Sequence, residues 1–134
     1  MKCCFVGHRD AFGIEDLVYA AIRRLINNGI TDFYSGGMGN FDKMCESAVR
    51  HAGGTLTFVP YNESQVKEND KLWYDNIVCP FGKKTYSIYD IPNRNKWVVD
   101  NCDVVLCYVY KMGGAMKTLD YAVRERKIIV NLYN

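Results

Sequence analysis

Phe33-Tyr34-Ser35-Gly36-Gly37-Met38-Gly39-Asn40-Phe41-Asp42 is the stretch on which the reading of this chain turns. It is a short strand, Phe33-Tyr34, that runs through a glycine cluster into a helix. In that helix Phe41, Met44, Cys45, Ala48, Val49 and Ala52 recur at helical spacing. Gly53-Gly54 ends it, and Thr55 to Val59 is the next strand, closed by Pro60. A strand, a glycine turn, a helix and a second strand make a βαβ unit.

The same alternation continues in both directions. Upstream, Cys3 to Val6 reads as a buried strand ending at Gly7. The following helix carries Ile14, Leu17, Val18, Ala21, Ile22, Leu25 and Ile26 on one face. Glu15 and Asp16 complement its dipole, and Asn28-Gly29 is the stop signal. Downstream, periodicity weakens from Tyr61 to Pro92, a polar and aromatic segment with Trp73, Tyr74, Phe81, Tyr86 and Tyr89. A short helix is expected near Ser64 to Tyr74. Asn93 to Asn101 reads as another helix with Trp97 and Val98 inward, and Val104 to Tyr110 is the strongest strand. Gly113-Gly114 then opens a helix carrying Met116, Leu119, Ala122 and Val123, and Ile128 to Leu132 is the last strand. The pattern predicts an α/β fold: a Rossmann-like three-layer sandwich with a mostly parallel five-stranded sheet of order 3-2-1-4-5. Ligands in such sheets bind at the carboxyl ends of the strands, beside the switch between the first and fourth.

The 134 residues fit a single domain spanning 1–134. A formal net charge of +2 does not argue for DNA or membrane binding, so nucleic acid is an unexpected partner. No apolar run approaches the roughly 20 residues of a membrane span. The start of the chain lacks a signal-peptide pattern, which places the expected location in the cytoplasm. Six cysteines form no CxxC pair and there are two histidines, so neither a zinc site nor a disulfide scaffold is expected. Cys3 and Cys4, adjacent on a strand, point to opposite faces and read as packing residues.

Three glycine-bearing loops fall on the ligand side. After the first strand, Gly7 permits a close turn, Arg9 can pair with phosphate and His8 can donate to a phosphate or sugar oxygen; a plain turn with solvated charges fits as well. In the second loop Gly36, Gly37 and Gly39 let a ligand approach bare amide N–H groups, and Ser35 offers a hydroxyl. Asp42 either reads a ribose hydroxyl or satisfies its own helix. The third, Gly113-Gly114 with Thr118, opens a helix across the switch from the first. Before the fourth strand, Arg94 and Asn95 are further ligand candidates, with Asp100 expected to anchor Arg94. Two glycine turns at helix starts on one edge point to a phosphate-bearing ligand.

These motifs, in this order, resemble the YpsA-like branch of the SLOG superfamily, which also holds the LOG phosphoribohydrolases and the DprA proteins. The resemblance spans nearly the whole chain and implies a Rossmann-like pocket for nucleotides or nucleotide-derived ligands. LOG enzymes carry a PGGxGTxxE motif. Laying Gly113-Gly114 on its glycine pair puts Asp120 where the catalytic glutamate stands. Met112 occupies the proline position, Met116 that of the third glycine, and Lys117 that of the threonine. The expected function is binding of a nucleotide-like small molecule as a sensor or regulatory module. The alternative is an N-glycosidase acting on a nucleoside monophosphate with Asp120 or Asp42 as the acid. A homo-oligomer is expected, with the aromatics of Tyr61 to Tyr89 as a dimer face or lid. No cofactor or metal is expected.

Overall fold

The structure is a computed structural model that describes residues 1–82 and 85–133. Its sheet has six strands, all parallel, where five mostly parallel ones were expected: β1 (Lys2–Gly7), β2 (Asp32–Ser35), β3 (Thr55–Phe58), β4 (Asn76–Ile77), β5 (Val104–Tyr108) and β6 (Ile128–Asn131). Their order is 4-3-2-1-5-6. The five anticipated strands keep their expected neighbours, and β4 is added at the edge beside β3 through Thr57↔Asn76 and Phe58↔Ile77. A two-residue strand between Asp75 and Val78 is too short to show any alternation.

Register accounts for the division of the core. Cys3 pairs with Phe33 on one side and Val104 on the other, and all three face α1 (Glu15–Asn27) and α2 (Gly39–Ala52) together with Phe5, Leu56 and Leu106. One residue along, Cys4 pairs with Val105 and faces α4 (Asp90–Asp100) and α5 (Gly114–Arg124) with Val98, Val99 and Ala122. The adjacent cysteines thus anchor opposite layers, as a strand period of two requires. All six cysteines are free thiols, and only Cys79 is not fully buried.

The segment from Tyr61 to Pro92 is more structured than its composition indicates. The helix expected near Ser64 to Tyr74 is instead a 3-10 turn at Glu63–Gln65 and a single-turn helix, α3 (Asp70–Trp73). Asn62, fully buried, accepts the Ser64 N–H at 2.7 Å and donates to Asp90 at 3.1 Å, which ties the segment to the start of α4. Residues 83–84, within the expected aromatic lid, lie outside the described residues. Helix α4 begins three residues earlier than expected because Pro92 sits in its first turn, where the missing N–H leaves no bond unmade. Within it Val98 and Val99 are buried and Trp97 is only half-buried.

Candidate functional site

At the carboxyl edge of β1 and β5 lies a cleft of about 340 Å³. It is lined from four directions. The loop after β1 contributes Gly7, His8, Arg9 and Asp10. The first turn of α2 contributes Asp42, α4 contributes Arg94 and Asn95, and the start of α5 contributes Gly113, Gly114 and Thr118. Nine of the residues proposed from sequence, drawn from all four motifs, therefore share one cleft. Ser35, Gly36, Gly37, Gly39 and Asp120 are not part of it.

The start of α5 is open. Gly113 precedes the helix with φ +145°, no side chain caps the first turn, and no acidic residue occupies it. A Cβ at Gly113 or Gly114 would meet nothing within 4 Å. Unbonded amide N–H groups and the positive end of the helix dipole thus face open space, the arrangement that favours an anion.

Arg94 is 3% exposed and serves the protein's own carbonyls. Its Nη1 donates to the carbonyls of Gly36 at 2.9 Å and Val59 at 3.0 Å, and its Nε donates to Asn95 Oδ1 at 2.9 Å. Asn95 in turn donates to Thr118 Oγ1 at 3.3 Å, and Thr118 Oγ1 donates to the Gly114 carbonyl at 3.0 Å. A chain of hydrogen bonds therefore runs along the cleft from the loop after β2 to the first turn of α5. Asp100 does not anchor Arg94; it accepts the hydroxyl of Tyr121 at 2.6 Å. Burial lowers the Arg94 pKa from its ordinary value, opposed by the charge of Asp42.

The second loop is turned inward. Ser35 is fully buried and donates to Glu46 at 2.6 Å while accepting the Gly37 N–H at 3.1 Å. The carboxylate of Glu46, itself 4% exposed, also accepts from Tyr74 at 2.8 Å and Trp73 Nε1 at 3.0 Å. Gly36 is small because the Arg94 guanidinium lies against it, with Cζ 2.8 Å from where a Cβ would stand. Gly39, at φ +82°, begins α2 directly under Arg9, whose Cα would be 2.7 Å from a Cβ there. In this loop, glycine allows close packing against the protein's own side chains and backbone.

Asp42 is 8% exposed and lines the cleft. One carboxyl oxygen accepts the Met38 N–H at 3.1 Å. Burial pushes its pKa up to about 7, helped by Glu46 one turn along and opposed by that hydrogen bond and by Arg94 and Arg9. His8 is buried, and its Nε2 accepts the backbone N–H of Tyr110 at 3.1 Å. An amide N–H can only donate, so the ring is neutral with its proton on Nδ1. Burial and the nearby Lys111 lower its pKa, opposed by Asp10. Asp120 is exposed and lies along a neighbouring groove between α4 and α5.

Sequence reasoning missed the pair Asp10 and Lys111, which meet at 2.9 Å and join the loop after β1 to the loop before α5. Lys111 was legible as a basic residue beside the Gly113-Gly114 turn. Its partner lies 101 positions away in the chain. Met38, whose sulfur accepts from Arg94 at 3.4 Å, and Ile91 also line the cleft. Among the described residues no group of three or more His, Cys, Asp or Glu side chains is placed to hold a metal. No helix among them is long and apolar enough to cross a membrane.

The sequence matches no protein-family model and no curated protein. The fold does match solved structures of SLOG-type proteins. DNA processing protein A from Streptococcus pneumoniae superposes with a TM-score of 0.75 at 19% identity, over 97% of this chain and 49% of that one. Its counterpart from Helicobacter pylori gives 0.78 at 15%, over 98% and 64%. The molybdenum cofactor binding protein of Rippkaea orientalis gives 0.71 at 16%, over 99% and 76%. The chain thus spans about half the length of the pneumococcal protein. At these identities the likeness is one of fold: a Rossmann-like α/β domain with a six-stranded parallel sheet.

Proposed function

We propose that the cleft binds a nucleotide or nucleotide-derived ligand, with a phosphate seated at the start of α5, and that the chain acts as a sensor or regulatory module of the YpsA-like kind. The observation that carries this is the uncapped first turn of α5, opening into a cleft that also presents Arg9 and Lys111. Both arginine and lysine are suited to phosphate, and the glycine pair lets it reach the backbone. The Helicobacter pylori protein is described as binding single-stranded DNA and the Rippkaea protein as binding the molybdenum cofactor, and this supports a nucleotide-type ligand here. The motif order of the sequence supports the YpsA-like assignment. Buried free thiols fit a reducing cytoplasm, and exposed Tyr86 and Tyr89 support self-association.

A thermal-shift screen against nucleoside monophosphates, nucleoside diphosphates, ADP-ribose and cyclic nucleotides tests the reading. A ligand at about 100 times its dissociation constant adds roughly 2.7 kcal/mol of stability. A shift with the ligand recovered intact supports the sensor. No shift from any member of the panel counts against the reading.

One observation favours a second reading, an N-glycosidase acting on a nucleoside monophosphate. Asp42 is a cleft carboxyl whose pKa of about 7 leaves it partly protonated at neutral pH, as a general acid requires. Asp120, outside the cleft, is the weaker candidate. This reading expects release of free base that Asp42→Asn abolishes and Asp120→Asn leaves intact. Recovery of every nucleotide unhydrolysed would remove it.

A further inference from the structure

We propose that the groove between α4 and α5 is a second ligand subsite, which receives a further anionic nucleotide unit of a ligand whose first phosphate sits at the start of α5. The proposal rests on the nucleotide reading of the cleft and extends it to a 5′-phosphorylated dinucleotide.

The groove has a volume of about 460 Å³ and shares Ile91, Asn95, Gly114 and Thr118 with the cleft. The two depressions are therefore one continuous trough that passes the first turn of α5. Its walls follow helical spacing. Ile91 and Asn95 stand one turn apart on α4; Gly114, Lys117, Tyr121 and Arg124 follow one another on one face of α5. From Gly114 to Arg124 the helix rises roughly 15 Å, well beyond what a single phosphate occupies.

The chemistry changes along the trough. At the cleft end it offers backbone donors and a buried carboxyl. In the groove it offers the apolar surfaces of Ile91, Pro92 and Tyr121, with three cations, Lys96, Lys117 and Arg124, against the single carboxylate of Asp120. Among the described residues none of these cations is ion-paired. Lys96 Nζ lies 5.7 Å from the centroid of the Tyr121 ring. Tyr121 is itself held in place, its hydroxyl donating to Asp100 at 2.6 Å and lying 3.3 Å from Glu125. A fixed ring beside cations that form no ion pair suits a base stacked next to a phosphate. Read from the start of α5, the trough presents an anion site, then a flat apolar floor with cations around it. A phosphate, a nucleoside and a second phosphate follow one another in that order in a 5′-phosphorylated dinucleotide.

Calorimetric titration of the full chain with AMP and with the linear dinucleotide pApA tests this. The expected result is pApA binding about tenfold more tightly than AMP, equivalent to 1.4 kcal/mol. The double variant Lys96→Glu, Arg124→Glu should lose that advantage while its affinity for AMP stays within about twofold. Both side chains are exposed, so the variant should keep the far-ultraviolet circular dichroism of the parent. Equal affinity for the two ligands, or equal loss of both in the variant, overturns the subsite and leaves the cleft reading standing. Failure of both ligands to bind overturns both readings.

Discussion

Arg94 Nη1 donates to the carbonyl oxygen of Gly36 at 2.9 Å, so a guanidinium at the floor of the cleft holds the glycine loop after β2 rather than waiting for a ligand. Replacing it with Met removes four hydrogen bonds and strands the Val59 carbonyl, while that of Gly36 keeps the Gln65 amide at 2.9 Å. The expected loss is roughly 2–4 kcal/mol of stability in urea unfolding. Gly36→Ala attacks the same contact from the other side and should cost roughly 1–3 kcal/mol by overpacking. Wild-type stability in both variants would mean the clasp carries no load.

Asp42 sets a pH dependence of defined sign. Its pKa is about 7 in the fold against 3.8 for a free side chain, so between those values the folded protein binds more protons than the unfolded chain. Stability from this group is therefore greatest at acid pH and falls as pH rises from about 4 to about 7. Asp42→Asn, which can still accept the Met38 N–H, should be more stable than the parent at pH 8 by a few kcal/mol. The difference should vanish near pH 4. Parallel melting curves across that range would refute the burial argument.

Glu46 joins three elements by accepting from Ser35, Trp73 and Tyr74. Glu46→Ala leaves three donors without their partner and should cost about 3 kcal/mol or more, with Trp73 emission shifting to the red as α3 loosens. Glu46→Gln, which keeps one acceptor oxygen, should lose less. Fluorescence and unfolding curves on the two variants measure the order directly.

His8 contributes in the opposite pH sense. Its folded pKa is lowered from 6.5, so the unfolded chain takes up a proton first on acidification. The stabilisation is complete above about pH 6.5 and is lost as pH falls toward the folded pKa. Nitrogen-15 NMR of the ring should show a neutral Nδ1–H tautomer at pH 7. A ring protonated there, or one with its proton on Nε2, would contradict the bond from Tyr110.

Much of this was legible in the sequence for a physical reason. Apolar periodicity reports burial of whole elements, and it located β1, β2, β3, β5, β6 and the long helices to within a few residues. It was silent on β4, because Asn76-Ile77 is too short to alternate, and on Pro92, which looks like a break and sits harmlessly in a first turn. The roles of Ser35 and Gly36 were hidden for another reason. Whether a polar group faces ligand or protein depends on what packs over it, here Glu46, Trp73, Tyr74 and Arg94, far away in sequence. Asp120 and Asp42 illustrate the same limit: a motif alignment points to the first, while the second is the one buried in the cleft.

Gly114→Asp probes the proposed phosphate site at the start of α5 at its backbone. A Cβ there meets no atom within 4 Å, and a carboxylate at a helix start favours the helix, so the unliganded protein should melt at or slightly above the parent temperature. The same charge occupies the space proposed for phosphate. The variant should lose the thermal shift given by the best nucleotide of the panel. A full shift retained in Gly114→Asp would contradict a phosphate site at the start of α5.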